Sequence, residues 1–454
     1  METPENQNVI SNFIKSNTAK MMMVGMLTFV LLIPLEFVKN LIKERSQRQE
    51  EVIGEINDKW GGNVFLYGPI LKIPYTFYEE TLSINEKTKE TVKQRKAHTN
   101  FAYFFPEELK AKSNVTTKVL NRNNYESVVF SSKMKFEGNY IHPDFSSKNI
   151  ANEDIQWDKA TILIQTTNLK SIKDEVKINF GNTNLTFEPV YNSNSKETTE
   201  ALETGYIDLG KILSQGKTAF RFDITYNGSQ QLKMVPIGKT TQLSMESNWA
   251  SPSFTGNFLP DDKTKQISAN GFVANWKILH INRAFSQQTF DNLPDLSQYA
   301  FGVDFVIPVN QYQQNERASK YGFLVIGLTF LIFFLIQSIS KIKIHIFQYT
   351  MIGLALIMFY TLLISITEHS SFMKAYIIAG IAVITLISLY SISILKNRKF
   401  PMFIAASLGS LYTFLYVIIQ LENYALLVGS IGLFAILAAV MYFSRKIDWS
   451  NRNS

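Results

Sequence analysis

The chain of 454 residues has no cysteine and only five histidines. The first absence excludes a disulfide framework, a thiolate metal site and a cysteine nucleophile. The second leaves no metal centre or cofactor to assign, because His98, His142, His280 and His345 stand at no ligand spacing. Also missing are the G-x-x-x-x-G-K-[ST] phosphate cradle, the H-E-x-x-H zinc helix and the G-x-S-x-G elbow. S-x-x-K, which would set a serine and its activating lysine on one helical face, occurs at Ser132 to Lys135, Ser340 to Lys343 and Ser393 to Lys396. Neither S-D-N nor K-T-G accompanies it. The first copy lies in VVFSSKMKF, which reads as a strand, where residues three apart point to opposite faces. The other two end apolar runs, away from any cell-wall substrate. The residues predict no enzyme.

The net charge of +7 comes without a clustered basic helical face. It reads as loop lysines beside anionic lipid, not as a nucleic-acid footprint. A mean hydropathy of −0.01 averages two unlike parts, one rich in Lys, Asn, Thr, Ser and Glu, the other in Leu, Ile, Phe and Tyr. Met21 to Leu41 is apolar and is followed by no A-x-A-like site, so it reads as an uncleaved membrane anchor. Near its outer end Glu36 lies within reach of head groups, Lys39 or Lys43. Five more spans are expected near 322–340, 346–367, 373–395, 400–421 and 424–444, each about the ~20 residues that cross a ~30 Å hydrocarbon layer. Lys341, Lys343 and His345 follow span two, Lys396, Arg398 and Lys399 follow span four, and Arg445 and Lys446 follow span six. Glu368 and Glu422 mark the opposite turns. Basic loops stay in the cytoplasm, so both termini are expected inside and the polar part outside. Lys39, Lys43, Arg45 and Arg48 after span one, outnumbering Lys15 and Lys20 before it, argue the other way; the parity of three later loops outweighs them.

Between spans one and two, IKERSQRQEEVIGEINDKWGG reads as a charged helical stalk stopped by Gly61 and Gly62. VFLYGPILKIPYTFYEE, YESVVFSSKMKFEG, DEVKINF, LTFEPV, FRFDITYNG and QISANGFVANW then carry β-branched and aromatic residues with partial alternation. Gly181-Asn182, Asn227-Gly228 and the Pro-Asp-Asp at 260–262 supply turns. The fold expected is a mixed α/β membrane protein: six transmembrane helices, with a large extracytoplasmic, mainly-β, sandwich-like domain inserted between helices 1 and 2. Its parts are a cytoplasmic lead (1–20), helix 1 (21–42), the β-rich periplasmic domain (43–320), a five-helix bundle (321–444) and a cytoplasmic tail (445–454).

FGVDFVIPV, Glu316-Arg317, KYGF, IGLTFLIFF, Gln348-Tyr349, IGLALIMFY, SITEH at 365–369 and AYIIA follow one another through the polar-to-apolar boundary. Together with IPL, Ile42, Glu44-Arg45, Trp60-Gly61 and GPILKIPY before the domain, and ENYALLVGS and MYFSRKIDW at the end, they resemble the CreD family of inner-membrane proteins. The likeness runs near full length and is thin across about 80–265. It implies an inner-membrane location and a link to cell-envelope integrity, with envelope-stress and β-lactam responses and colicin tolerance in Gram-negative bacteria. It carries over no catalytic residue.

Two constellations stand out. Glu368 and His369, at the outer end of span three, are either a proton-responsive pair, since an imidazole beside a carboxylate titrates near neutrality, or a helix cap at the interface. Glu316 and Lys320, four apart where the chain enters span two, suit a helical ion pair, with Arg317 beside them. Either they lock to the Glu44-Arg45 stalk, coupling domain to bundle, or they mark the water boundary. Two functions follow. The first is a non-enzymatic envelope protein whose outer domain binds a periplasmic protein or cell-wall component while the spans engage the bilayer. The second is a transporter or lipid-handling protein, signalled by a hydrophobic groove between span one and the bundle; spans without mid-depth charge disfavour an ion-coupled carrier. Single cysteines across 60–320 should react with a membrane-impermeant thiol reagent on intact spheroplasts. Protection throughout 60–320 would reverse the orientation.

Overall fold

The computed structural model describes residues 17–84, 91–122, 124–190, 200–212, 216–307, 311–340, 342–395, 399–421 and 424–445. Lys15, Lys341, Lys396, Arg398, Glu422 and Lys446, used above for orientation, lie outside them. The chain divides into two compact units, one from within 1–51 and 309–454 and the other from 52–308.

In chain order the elements begin with α1 (Asn17–Trp60), β1 (Val64–Ile84), β2 (Thr91–Phe104), β3 (Glu108–Arg122), β4 (Tyr125–Tyr140), β5 (Thr161–Thr166), β6 (Lys177–Phe180), β7 (Thr183–Val190) and β8 (Glu200–Thr204). The one-turn α2 (Leu209–Ile212) precedes β9 (Thr218–Ser229), β10 (Gln231–Met234), β11 (Thr240–Ser247), β12 (Pro252–Gly256), β13 (Gln266–Ser268), β14 (Gly271–Leu279), β15 (Gln288–Phe290) and β16 (Phe301–Phe305). Then come α3 (Gln311–Lys320), α4 (Gly322–Ser340), α5 (Ile346–Thr367), α6 (Phe372–Leu395), α7 (Lys399–Gln420) and α8 (Ala425–Ser444). Six of these helices are long and apolar enough to cross a membrane: α1 and α4 to α8. The large mixed sheet lies between the first and second of them.

Apolar residues dominate the helical unit, and in hydrocarbon only internally bonded backbone is stable. Several of its polar side chains are answered locally: Thr329, Thr367 and Ser391 donate back to the carbonyls of Val325, Leu363 and Ile387, Tyr349 donates to Gln337 Oε1 at 2.9 Å and Tyr376 to the Tyr412 carbonyl at 2.8 Å. α1 joins the bundle through buried Leu31 and Leu35. A Cβ on Gly353 of α5 would strike Leu31, and one on Gly322 of α4 would lie 2.7 Å from Leu35 Cδ1. Small residues thus let the first helix dock closely. α8 differs, for none of its residues is buried.

As Gly61 and Gly62 predict, α1 stops at Trp60: both glycine N–H groups donate to the Asn57 carbonyl at 2.8 Å, and Gly62 takes a φ of +61°, the left-handed cap a side chain would strain. Within the sheet unit, the last turns of α1 bury Val52 and Ile56 against Val129.

The sixteen described strands pair mainly antiparallel, β1 with β10 and β3 with β11 being parallel. β7 turns one path into two layers. Its residues 183–186 pair with β6, whereas 187–190 pair with β8, a strand that switches sheets at a sandwich corner. Rings and hydroxyls fill the gap between layers: Phe130 with Phe305 at 5.0 Å, Trp276 with Phe301 at 5.7 Å, Tyr226 Oη to Thr166 Oγ1 at 2.9 Å and Tyr140 Oη to the Pro69 carbonyl at 2.8 Å. Gly181-Asn182 makes the β6–β7 hairpin turn as expected. Asn227-Gly228 does not turn but continues β9, and the chain bends into β10 of the other layer at Gln230, φ +60°. The glycine is needed for closeness, since a Cβ on Gly228 would meet the Phe130 ring and come 2.7 Å from Val64 Cγ2.

Buried Arg283 pins one end of the sandwich. Its guanidinium donates to the carbonyls of Ile237 at 3.0 Å, Gly238 at 3.2 Å and Phe285 at 3.1 Å, and to Gln287 Oε1. Burial draws its pKa down to about 10, with nearby Tyr67 opposing, so it stays charged at neutral pH. Arg283→Met would strand these acceptors at a cost on the order of 3 kcal/mol. At ~2–4 °C per kcal/mol for a unit of this size, the unfolding midpoint should drop by about 6–12 °C. Tryptophan fluorescence reads it, because Trp60, Trp157, Trp249 and Trp276 all fall in 52–308.

Candidate functional site

The structure brings together two residues that the sequence placed in separate constellations. Arg45, on α1, sets its Nε 3.5 Å from Oε1 of Glu368, the residue that caps the C-terminus of α5. The Arg45 side chain is 46% exposed and that of Glu368 20%. A single-contact pair this open is worth about 0–1 kcal/mol, so it selects a register of α1 against α5 more than it stabilises. His369 is exposed, its backbone N–H donating to Ile366 O at 3.0 Å. Its ring makes no hydrogen bond or ion pair among the described residues. Glu44 is exposed beside Arg45. Glu316 pairs with Lys320 at 3.0 Å within α3, and Arg317 is half-buried next to it. Arg45 and Glu316 therefore go to different partners.

The S-x-x-K copies gain no catalytic geometry. Ser132 is buried on β4 with its Oγ 3.0 Å from Ser113 Oγ, while Lys135 faces outward. Ser340 ends α4 and Lys343 follows it exposed; Lys396 lies outside the described residues. His345 serves as the N-cap of α5, accepting from the Phe347 N–H. Among the described residues no three metal-ligating side chains cluster.

A second constellation was not singled out from the sequence. On β3, β4 and β9 buried and exposed positions alternate strictly over long stretches, so every second side chain leaves the core. Register lays Lys112 opposite Lys135, Lys135 opposite Asp223, Lys110 opposite Glu137, Glu137 opposite Arg221, and Lys110 beside Gln242 and then Lys277. These residues line a concavity of about 560 Å³ on the outer face of the sheet, with Asp261 at its margin. Five cations, Lys110, Lys112, Lys135, Arg221 and Lys277, stand there against two carboxylates, Glu137 and Asp261. None of the five makes an ion pair among the described residues, and like charges directly opposed, as Lys112 and Lys135 are, destabilise a sheet. The signal in the sequence was the repeated K-x-K of 110–112 and 133–135. Only the strand register reveals that the two face each other.

The profile of the CreD family, described as Inner membrane protein CreD, matches residues 16–450. The chain belongs to the CreD family. Inner membrane protein CreD of Escherichia coli (strain K12) is 29% identical to it over 432 residues, covering 92% of this chain and 91% of that protein. With six apolar helices, this CreD-family chain is a multi-pass inner-membrane protein.

The Arg45–Glu368 pair makes a reciprocal expectation. Arg45→Glu and Glu368→Arg should each lower the amount of folded protein recovered from membranes, and the double swap should restore it. The coupling should be about 0.3–1 kcal/mol in thermal-melt cycles. Additive single effects would remove the pair from the account.

Proposed function

We propose that this CreD-family chain is a non-enzymatic inner-membrane protein that supports envelope integrity by holding an anionic cell-wall component. In this reading the sheet domain stands on the periplasmic side, both termini are cytoplasmic, and the outer face of β3, β4, β9, β11 and β14 takes carboxylates of the peptidoglycan. One observation carries it: five cations on one concave face, none in an ion pair among the described residues, with Lys112 opposed to Lys135 across adjacent strands. Strands ~4.7–4.9 Å apart, with outward side chains two residues apart, set these charges at spacings suited to a polymer with repeated acidic groups. Orientation draws support from Lys343, Lys399 and Arg445 at one end of the spans and Glu368 at the other. The absence of charge from the middles of α4 to α8 favours this binding role over an ion-coupled carrier.

Sedimentation of the detergent-solubilised full chain with purified peptidoglycan sacculi tests the reading. The bound fraction should fall between ~10 mM and ~150 mM salt, as the Debye length shrinks from about 30 to 8 Å. Lys112→Glu with Lys135→Glu should weaken binding by about tenfold or more, equivalent to ~1.4 kcal/mol. Equal sedimentation of wild type and double variant would exclude this face as the binding surface.

A further inference from the structure

The helical unit holds an apolar cavity of about 850 Å³ between α4, α7 and α8. It is not the groove beside α1 anticipated for a lipid-handling protein, because Gly322 and Gly353 close α1 tightly onto α4 and α5. Along α4 it runs from Leu328 to Ser340, about 18 Å at 1.5 Å per residue. That is close to half of a ~30 Å hydrocarbon layer, the depth of one leaflet.

One wall of the cavity carries small residues. α8 presents Gly432, Ala435 and Ala439 toward it, a stripe of small residues of the kind that lets helix backbones close together. Here the Phe414 ring of α7 sits over Gly432, where a Cβ would collide with it. α8 buries no residue of its own. Between its ends the lining is otherwise Leu, Ile, Val and Phe, apart from Ser407 and Ser410 on α7, whose hydroxyls can bond back to their own helix, with Ser340 and Lys399 at one end.

The two ends differ. Leu328 and Gly432 stop the cavity within the span, while Ser340, Lys399 and Phe443 stand at the other end. Antiparallel succession of the spans puts the end of α4, the start of α7 and the end of α8 on one membrane face, the one carrying Lys343, Lys399 and Arg445. A slot one leaflet deep, apolar inside and cationic at its mouth, matches one kind of molecule. We infer that the cavity binds an anionic phospholipid, one acyl chain lying between α4, α7 and α8 and the phosphate at Lys399. The inference is independent of the sheet face and of cell-wall binding.

Native mass spectrometry of the full chain, titrated with phosphatidylglycerol or phosphatidylcholine of the same chain length, tests it. Wild type should retain one phosphatidylglycerol in preference to phosphatidylcholine. Lys399→Gln should weaken retention by about fivefold, the worth of one lysine against anionic lipid. Ala439→Phe, at a position exposed to the cavity, should fill the slot and abolish retention of either lipid, while Leu437→Phe, outside the lining and 57% exposed, should leave retention unchanged. Glycerol phosphate should not compete, because the acyl chain supplies most of the contact. Equal retention of the two lipids by wild type, or retention that survives both Lys399→Gln and Ala439→Phe, would overturn the assignment.

Discussion

Hydrocarbon offers a peptide group nothing to bond to, and the architecture follows from that constraint. Every stretch apolar enough to enter the bilayer must satisfy its backbone within itself, so α1 and α4 to α8 are helices and the sixteen described strands fall together in 52–308. The same constraint governs side chains. Thr329, Thr367 and Ser391 turn their hydroxyls back on their own helices, and Gln337 is tolerable in α4 because Tyr349 meets it. Cohesion between helices rests largely on shape: leucines of α1 against glycines of α4 and α5, rings among α5, α6 and α7.

The sheet unit faces the opposite problem, for water competes for its backbone and its core must exclude it. β7 solves part of this by belonging to both layers, so that one path of strands covers itself with aromatic residues between. Once the inner face is committed to Phe, Tyr and Trp, strict alternation sends Lys110, Lys112, Lys135, Arg221 and Lys277 outward. Alternation explains why they are exposed. It does not explain why they share one concave face lined by two carboxylates, Glu137 and Asp261, with Asp223 opposite Lys135, and the proposed binding role rests on that excess of cations.

Much of this was legible in the residues. The six spans were read from runs of Leu, Ile and Phe, the end of α1 from Gly61 and Gly62, and the β character of the domain from segments such as VFLYGPILKIPYTF. Less visible were strands such as β3, ELKAKSNVTTKVLNR, where inward positions hold Ala111, Ser113 and Thr117 and outward ones hold lysines, so hydrophobic contrast is weak. Asn227-Gly228 misled because a glycine chosen for close approach has the same letter as one chosen for a turn. Arg45 and Glu368 were each noticed for a local reason, Glu368 beside His369 and Arg45 beside Glu44. Their pairing depends on how α1 docks, which no spacing of residues so far apart in the chain records.

That docking carries a consequence for how the molecule is made. Leu35 precedes its receptor Gly322 by 287 residues, so at ~5–20 residues per second the ribosome delivers the second half of the contact roughly 15 s to a minute after the first. Until then α1 stands in the bilayer with its leucines against lipid, and the whole sheet unit is synthesised behind it. When α4 and α5 arrive, α1 must find them by lateral diffusion, as a separate polypeptide would. In assembly, the first helix of this chain is its own bundle's ligand.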